Sequence, residues 1–192
     1  MPRRTPLAAG CLAALSFVAW AQNEPPVVRK MLVLFDTLRQ SSTEKRRFSI
    51  RLAEADINDY LRYSLRHTPR PGLDSLAIKV FPANYVSTFA VVDFDAVERW
   101  KPGTIPLLMR PVLSGKKSLW TDFRFKAQDG KLTFSVEKAY FQSIRLPAIL
   151  VRKIIQIVAA RQPEKYDTSR PVPLPHGLRQ VWTREHLIEM QR

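Results

Sequence analysis

The sequence predicts an α+β fold: a strongly curved antiparallel sheet packed on two principal helices, in a single domain that follows a signal peptide. Three stretches carry that reading. Trp120 to Ala160 reads as a hairpin about Asp129-Gly130 that runs into a helix, the dipeptide being suited to the two-residue loop that needs positive φ at both positions. Ala53 to His67 has the spacing of an amphipathic helix. The stretch from Pro147 to Arg161 reads as a helix apolar around most of its circumference.

Residues 1–21 have the make-up of a secretory leader. Arg3 and Arg4 are basic, Leu7 to Trp20 is apolar, and Ala19-Trp20-Ala21 is a small-x-small site before Gln22. The run is short for a membrane span of about 20 residues, so cleavage after Ala21 is expected. Lipidation of Cys11 is the alternative, but the large aliphatic residue usual three positions earlier is absent. Cys11 is the only cysteine, so cleavage would leave no thiol for disulfides, catalysis or metal ligation.

Residues 22–47 are expected to form a linker and an amphipathic helix. Val27, Val28, Met31, Leu34, Phe35 and Leu38 have near-helical spacing, although the valines leave a strand open. Residues 48–162 make up the α+β domain. Phe48, Ile50 and Leu52 alternate with Ser49 and Arg51, the period of a half-buried strand. In the helix that follows, Ile57, Tyr60, Leu61 and Leu65 share a face, and Pro69 and Pro71-Gly72 end it. Leu76, Ile78 and Val80 mark a strand, Pro82-Ala83-Asn84 a turn, and Val86 to Phe94 a strand apolar on both faces along its body.

Val97 to Lys117 is irregular. Pro106 to Leu113 reads either as a short helix or as an apolar flap. In the hairpin, Asp129-Gly130 sets Gln128 opposite Lys131, Ala127 opposite Leu132, Phe125 opposite Phe134 and Phe123 opposite Val136. Lys126–Thr133 and Arg124–Ser135 then fall on the other face, and a slip of one residue would destroy that agreement. The second strand is expected to run on through Tyr140 towards Ile144 and Leu146, with Pro147 in the first helical turn. Residues 163–192 read as a proline-rich arm of extended backbone, tied down by Trp182 and a short helix capped by Thr183.

The chain has 31 basic and 17 acidic residues, a net charge of +14. In an exported protein such a balance points to anionic membrane surfaces or envelope polymers rather than nucleic acid. No catalytic constellation is found. His67, His176 and His186 form neither a zinc-binding pair nor a nucleophile–base arrangement. Asp93 and Asp95 share a face of the predicted strand and were they to converge would suit a metal or a shared proton, but acids at a strand end are commonly just solvated. The expectation is a protein that is not an enzyme, with no cofactor and no metal.

The helix after Pro147 admits two readings. Ile149, Leu150, Val151, Ile154, Ile155, Ile157 and Val158 leave only a narrow polar stripe, which suits burial in a core. Alternatively one side packs on the sheet and another lines a channel for acyl chains. The order of elements bears on that choice. A strand leads through acidic residues into a helix with Asn58-x-x-Leu61, then come long strands and an Asp-Gly hairpin, and Ile144-x-Leu146-Pro147 precedes an apolar helix. From Phe48 to Arg161 this order resembles the LmeA-type family of exported bacterial envelope proteins. It departs from the family in having Ala53 where a Ser or Thr helix cap is usual.

The resemblance implies an elongated curved sheet wrapped on a helix, as in tubular lipid-binding domains, with phospholipid as the ligand. The expected function is therefore non-enzymatic binding of phospholipid or another apolar ligand in the periplasm or cell envelope. The candidate lining residues are Leu107, Leu108, Phe123, Phe125, Phe134, Ile149, Ile154, Ile155 and Val158. The alternative is a basic interaction protein that binds an envelope protein or anionic polymer without a cavity.

Overall fold

The computed structural model describes residues 24–44, 48–105, 107, 110–149, 151 and 170–192. The leader, the Cys11 alternative, Leu108, and most of the helix after Pro147, including Ile154, Ile155 and Val158, lie outside them. The fold is α+β. Among the described residues nine antiparallel strands form one open sheet in the order β1-β9-β8-β4-β3-β2, with β5 on the other edge of β4 and β6 and β7 paired to β5.

Helix α1 (Pro26–Glu44) precedes β1 (Ser49–Ala53), which runs straight into α2 (Glu54–His67). The spacing read from sequence places Val28, Met31 and Leu38 on the buried side of α1. Phe35 of α1 meets Tyr60 of α2 edge to face, with ring centroids 5.5 Å apart. Ala53 occupies the N-cap of α2 and makes no side-chain cap. The N-terminus is instead fixed by the Glu54 N–H, which donates to the His186 carbonyl at 2.9 Å.

Strands β2 (Leu73–Phe81) and β3 (Tyr85–Asp93) pair about the predicted turn, where Ala83 and Asn84 take φ of 60° and 58°. Val86 and Ser87 are buried on opposite faces of β3, as its two-sided pattern predicted, but Phe89 further along is 38% exposed. Phe94 does not extend this strand. It begins α3 (Phe94–Trp100), because the Asp93 carboxylate accepts the Ala96 N–H and caps a new helix. The two carboxylates expected on one strand face are thereby separated: Asp93 is a cap, and Asp95 lies in the first turn of α3.

Strands β4 (Lys116–Gln128) and β5 (Lys131–Phe141) have the predicted register, from Gln128↔Lys131 through Phe125↔Phe134 to Phe123↔Val136. Asp129 and Gly130 take φ of 53° and 73°. A register shift between Asp122 and Phe123 keeps the apolar face continuous, pairing Thr121 with Ala139 and Leu119 with Phe141. Strand β5 does not continue towards Leu146. The chain reverses at Gln142, where φ is 54°, and β6 (Ile144–Arg145) folds back on Tyr140 and Phe141. Beyond it, Ala148 and Ile149 are helical and the Val151 N–H donates to the Pro147 carbonyl, so Pro147 does sit at a helix start.

The C-terminal residues are more than an arm. Strand β7 (Val172–Pro173) pairs with β5, and a 3-10 turn over Pro175–Gly177 follows. No helix starts at Thr183. Strands β8 (Gln180–Arg184) and β9 (Leu187–Gln191) form a hairpin instead, and β9 supplies the pairing for β1. The β2–β3 turn plugs into this hairpin: the Thr183 N–H donates to Asn84 Oδ1 at 2.9 Å, and its hydroxyl to the Phe81 carbonyl.

Candidate functional site

Alternation along the strands assigns every side chain to one of two faces. On the first, Val80, Val86, Phe123 and Val136 form a row across β2, β3, β4 and β5. Phe125 and Phe134 form the next row, and Ala127 lies between Leu132 and Val181 in the one after. Burial is uneven along these rows. Val80 is wholly buried and Val86 and Ala127 nearly so, whereas Phe123, Phe125 and Phe134 are each only half-buried. Among the described residues the largest fully buried side chains are valines, Val28 and Val80. The largest apolar side chains of this face therefore lie outside the sealed core.

Of the predicted lining residues, the structure brings these three phenylalanines together on adjacent strands. It does not add Leu107 or Ile149 to them as buried neighbours. Leu107 is 75% exposed in the loop after α3, and Ile149 is 76% exposed in the first helical turn after Pro147. A buried lining position needs packing from another element, and both stand in connections beyond the end of the sheet.

The opposite face is polar and aromatic. Asp122, which is buried, accepts hydrogen bonds from the Ser87 hydroxyl and from Trp120 Nε1 at 2.8 Å, and the Tyr85 phenol acts on it as a third donor in its titration. Burial alone would push the Asp122 carboxyl up, but these three donors and nearby Lys138 outweigh it and hold the group below the ordinary carboxylate value. Burial and the Asp122 charge push the Tyr85 phenol up. Phe89 and Trp120 stand beside this cluster edge to face at 6.1 Å, 38% and 43% exposed.

A second buried carboxylate, Glu189, accepts from Trp182 Nε1 and pairs with Arg51 at 2.9 Å and Arg184 at 3.0 Å. Those partners overcome the opposing effect of burial and lower its pKa. Neither cluster was legible as such in the sequence. The only signal for the first was Trp120 and Asp122, two apart and so on one face of a strand.

The outer edge of β2 is satisfied by α2. The Val80 N–H donates to Glu54 Oε2 at 2.6 Å. Asn58 clamps Ile78, accepting its N–H at 2.8 Å and donating to its carbonyl at 2.9 Å. Glu54 also meets His186 Nδ1 at 3.0 Å. Burial raises the Glu54 pKa, yet the Val80 N–H, His186 and Lys79 together leave it lowered. Past Asn58 this seam opens into a cleft of about 480 Å³ lined by Arg62, Leu65, Arg66, Ser75 and Leu76. Another of about 470 Å³ lies beside α3, lined by Glu98, Arg99, Ile105, Arg110 and Leu113. Neither is lined by the three phenylalanines.

His67 stacks on Tyr63 with centroids 3.9 Å apart at the end of α2, and His176 occupies the 3-10 turn. Among the described residues no group of three His, Cys, Asp or Glu side chains is placed to hold a metal. None of the described helices is long and apolar enough to cross a membrane. No family model, no curated protein and no solved structure matches the chain.

Proposed function

We propose that this is an exported envelope protein that binds phospholipid or another apolar ligand, without catalysis, against the apolar face of its sheet. The observation that carries the reading is the incompletely buried set Phe123, Phe125 and Phe134 on β4 and β5, beside Val80, Val86 and Ala127, the smaller buried side chains of the same face. Large apolar side chains left partly open on a rigid sheet offer contact area to an acyl chain at little ordering cost. The sequence resemblance to LmeA-type proteins supports the same ligand class.

The test is substitution of Phe125 and Phe134, singly, by Asn. At a ligand-lining position the polar group remains hydrated in the apo form, so the fold survives while lipid is lost. In a sealed core it costs several kcal/mol, on the order of 3–5 for lost packing alone. Native mass spectrometry after mild extraction reads the lipid, and the thermal midpoint reads the fold. The proposal requires at least one position where lipid disappears and the midpoint holds. Loss of lipid that always tracks unfolding would overturn it.

A second reading, a basic interaction protein, draws on the other face. There Phe89 and Trp120 are exposed, with Lys79 and Lys138 solvent-facing nearby and Arg124 over the Tyr85 ring at 5.6 Å. Binding of an envelope polymer, abolished by Trp120→Ala and indifferent to the phenylalanine substitutions, would favour it.

A further inference from the structure

Isolated apolar side chains on a surface need no explanation, but of the ten large exposed ones among the described residues five gather at one end of the sheet, the others being Leu32, Val33 and Phe35 on α1 and Phe89 and Trp120 on β3 and β4. Three connections meet at the end of the sheet where β4 begins: Thr68–Gly72 between α2 and β2, the described residues 94–105, 107 and 110–115 between β3 and β4, and residues 142–149 after β5. Hydrogen bonds and ring contacts tie them together. The Asp93 N–H donates to the Gly72 carbonyl, Phe94 N–H to Gly115 and Gln142 N–H to Ser118. Phe94 meets Phe141 at 6.0 Å.

This end carries Trp100 at 66% exposure, Leu107 at 75%, Val112 at 53%, Ile144 at 65% and Ile149 at 76%. The turns at the opposite end, 82–84, 129–130 and 185–186, contribute none of the exposed large apolar side chains among the described residues.

The charges at the same end are also uneven. Its carboxylates are mostly engaged: Glu98 by Arg110 and by the Gly103 and Ile105 N–H groups, Asp74 by Lys116, and Asp93 by the Ala96 N–H. Arg99, Lys101 and Arg145 are exposed and have no ion pair among the described residues. Apolar tips with a tryptophan, ringed by unpaired cations, match the two layers of an anionic bilayer surface. The tryptophan and aliphatic groups suit the interfacial zone, and the guanidinium and ammonium groups suit lipid phosphates.

We infer that this end of the sheet docks on anionic membranes, inserting Trp100, Leu107, Val112, Ile144 and Ile149 while Arg99, Lys101 and Arg145 engage phosphates. The inference does not depend on the ligand reading, since a protein can dock on a bilayer without carrying a lipid.

The experiment is flotation of the full chain with vesicles of phosphatidylcholine containing phosphatidylglycerol, and with phosphatidylcholine alone. Binding is expected to the anionic vesicles and to weaken as salt rises. The double substitution Leu107→Ser with Ile144→Ser should reduce partitioning about tenfold or more with an unchanged thermal midpoint, since both side chains are exposed. Val33→Ser, at a 61% exposed position on α1, should leave it unchanged. Trp100→Phe should retain binding but remove most of the blue shift in tryptophan emission that accompanies it. No binding to anionic vesicles, equal salt-insensitive binding to both kinds, or an equal loss in Val33→Ser overturns the inference. Vesicle binding and co-purified phospholipid are separate readouts, so either proposal can fail alone.

Discussion

At the residue scale, stability concentrates in a few polar side chains that finish what the backbone leaves open. Asn58 supplies both a donor and an acceptor to Ile78, standing in for the strand that an edge lacks. Asn58→Ala removes both and is expected to cost about 1–3 kcal/mol, read as a lower urea midpoint. An unchanged midpoint would mean that water replaces the clamp fully. The carboxylates make a second prediction. Glu54, Asp122 and Glu189 all titrate below their ordinary values. A depressed folded-state pKa stabilises the fold above the unfolded-state value, about 4 for a carboxylate, and that contribution is lost as pH falls through the lower folded value. The thermal midpoint should therefore decline as pH drops below about 4, and Asp122→Asn should lower the midpoint at neutral pH while flattening the acid limb. Parallel profiles for variant and parent would assign the acid sensitivity elsewhere.

At the scale of elements, two glycines at positive φ separate backbone strain from packing. Around Gly130 an added Cβ would meet only the Leu178 carbonyl at 3.6 Å, an ordinary contact. Gly130→Val should therefore cost what the conformation alone demands, on the order of 1–3 kcal/mol. At Gly72 the same atom would lie 2.1 Å from Val97 Cγ2 and 3.0 Å from the Asp93 carbonyl, so Gly72→Ala must also push α3 off the sheet. Calorimetry should rank Gly72→Ala well below Gly130→Ala in thermal midpoint, and a reversed order would show that α3 yields freely. The β4–β5 hairpin was legible because turn chemistry and alternation agree over Phe123 to Val136. The β8–β9 hairpin was not. Its turn holds His186 at φ 55°, a residue that gives no turn signal. Its alternation is blurred by Glu189, a buried acid satisfied by Arg51, Arg184 and Trp182. Thr183 looked like a helix cap because a strand residue donating to Phe81 across the fold leaves no local trace. Phe94 has the pattern of a strand residue for a related reason: Asp93 serves equally as a strand end and as a cap, and only the tertiary position of α3 decides.

For the whole molecule, the C-terminal strands change what counts as the domain. Strand β9 lies between β1 and β8, so without it β1 loses the only strand partner it has among the described residues. A chain ending at residue 171 is expected to lose its near-ultraviolet circular dichroism and its cooperative unfolding transition, which a dispensable arm would not cause. The candidate site was legible in part for the same reason of scale. Pairing across one hairpin brought Phe123, Phe125 and Phe134 together, and that much follows from local alternation. The placement of Leu107 and Ile149 depends on which end of the sheet their connections leave from, and only the assembled strand order fixes that.

The pairing of β1 with β9 also has a consequence in time. Ser49 pairs across with Gln191 and Ala53 with Leu187, most of the length of the described chain apart. While the polypeptide is being made, β1 and the start of α2 emerge with no strand to receive them. Closing so long a loop comes late and slowly, and until then an unpaired edge is open to neighbours. The nascent chain is thus kept from finishing its sheet early. Until the last residues are made, the segment from Ser49 to Ala53 waits without the strand that completes it.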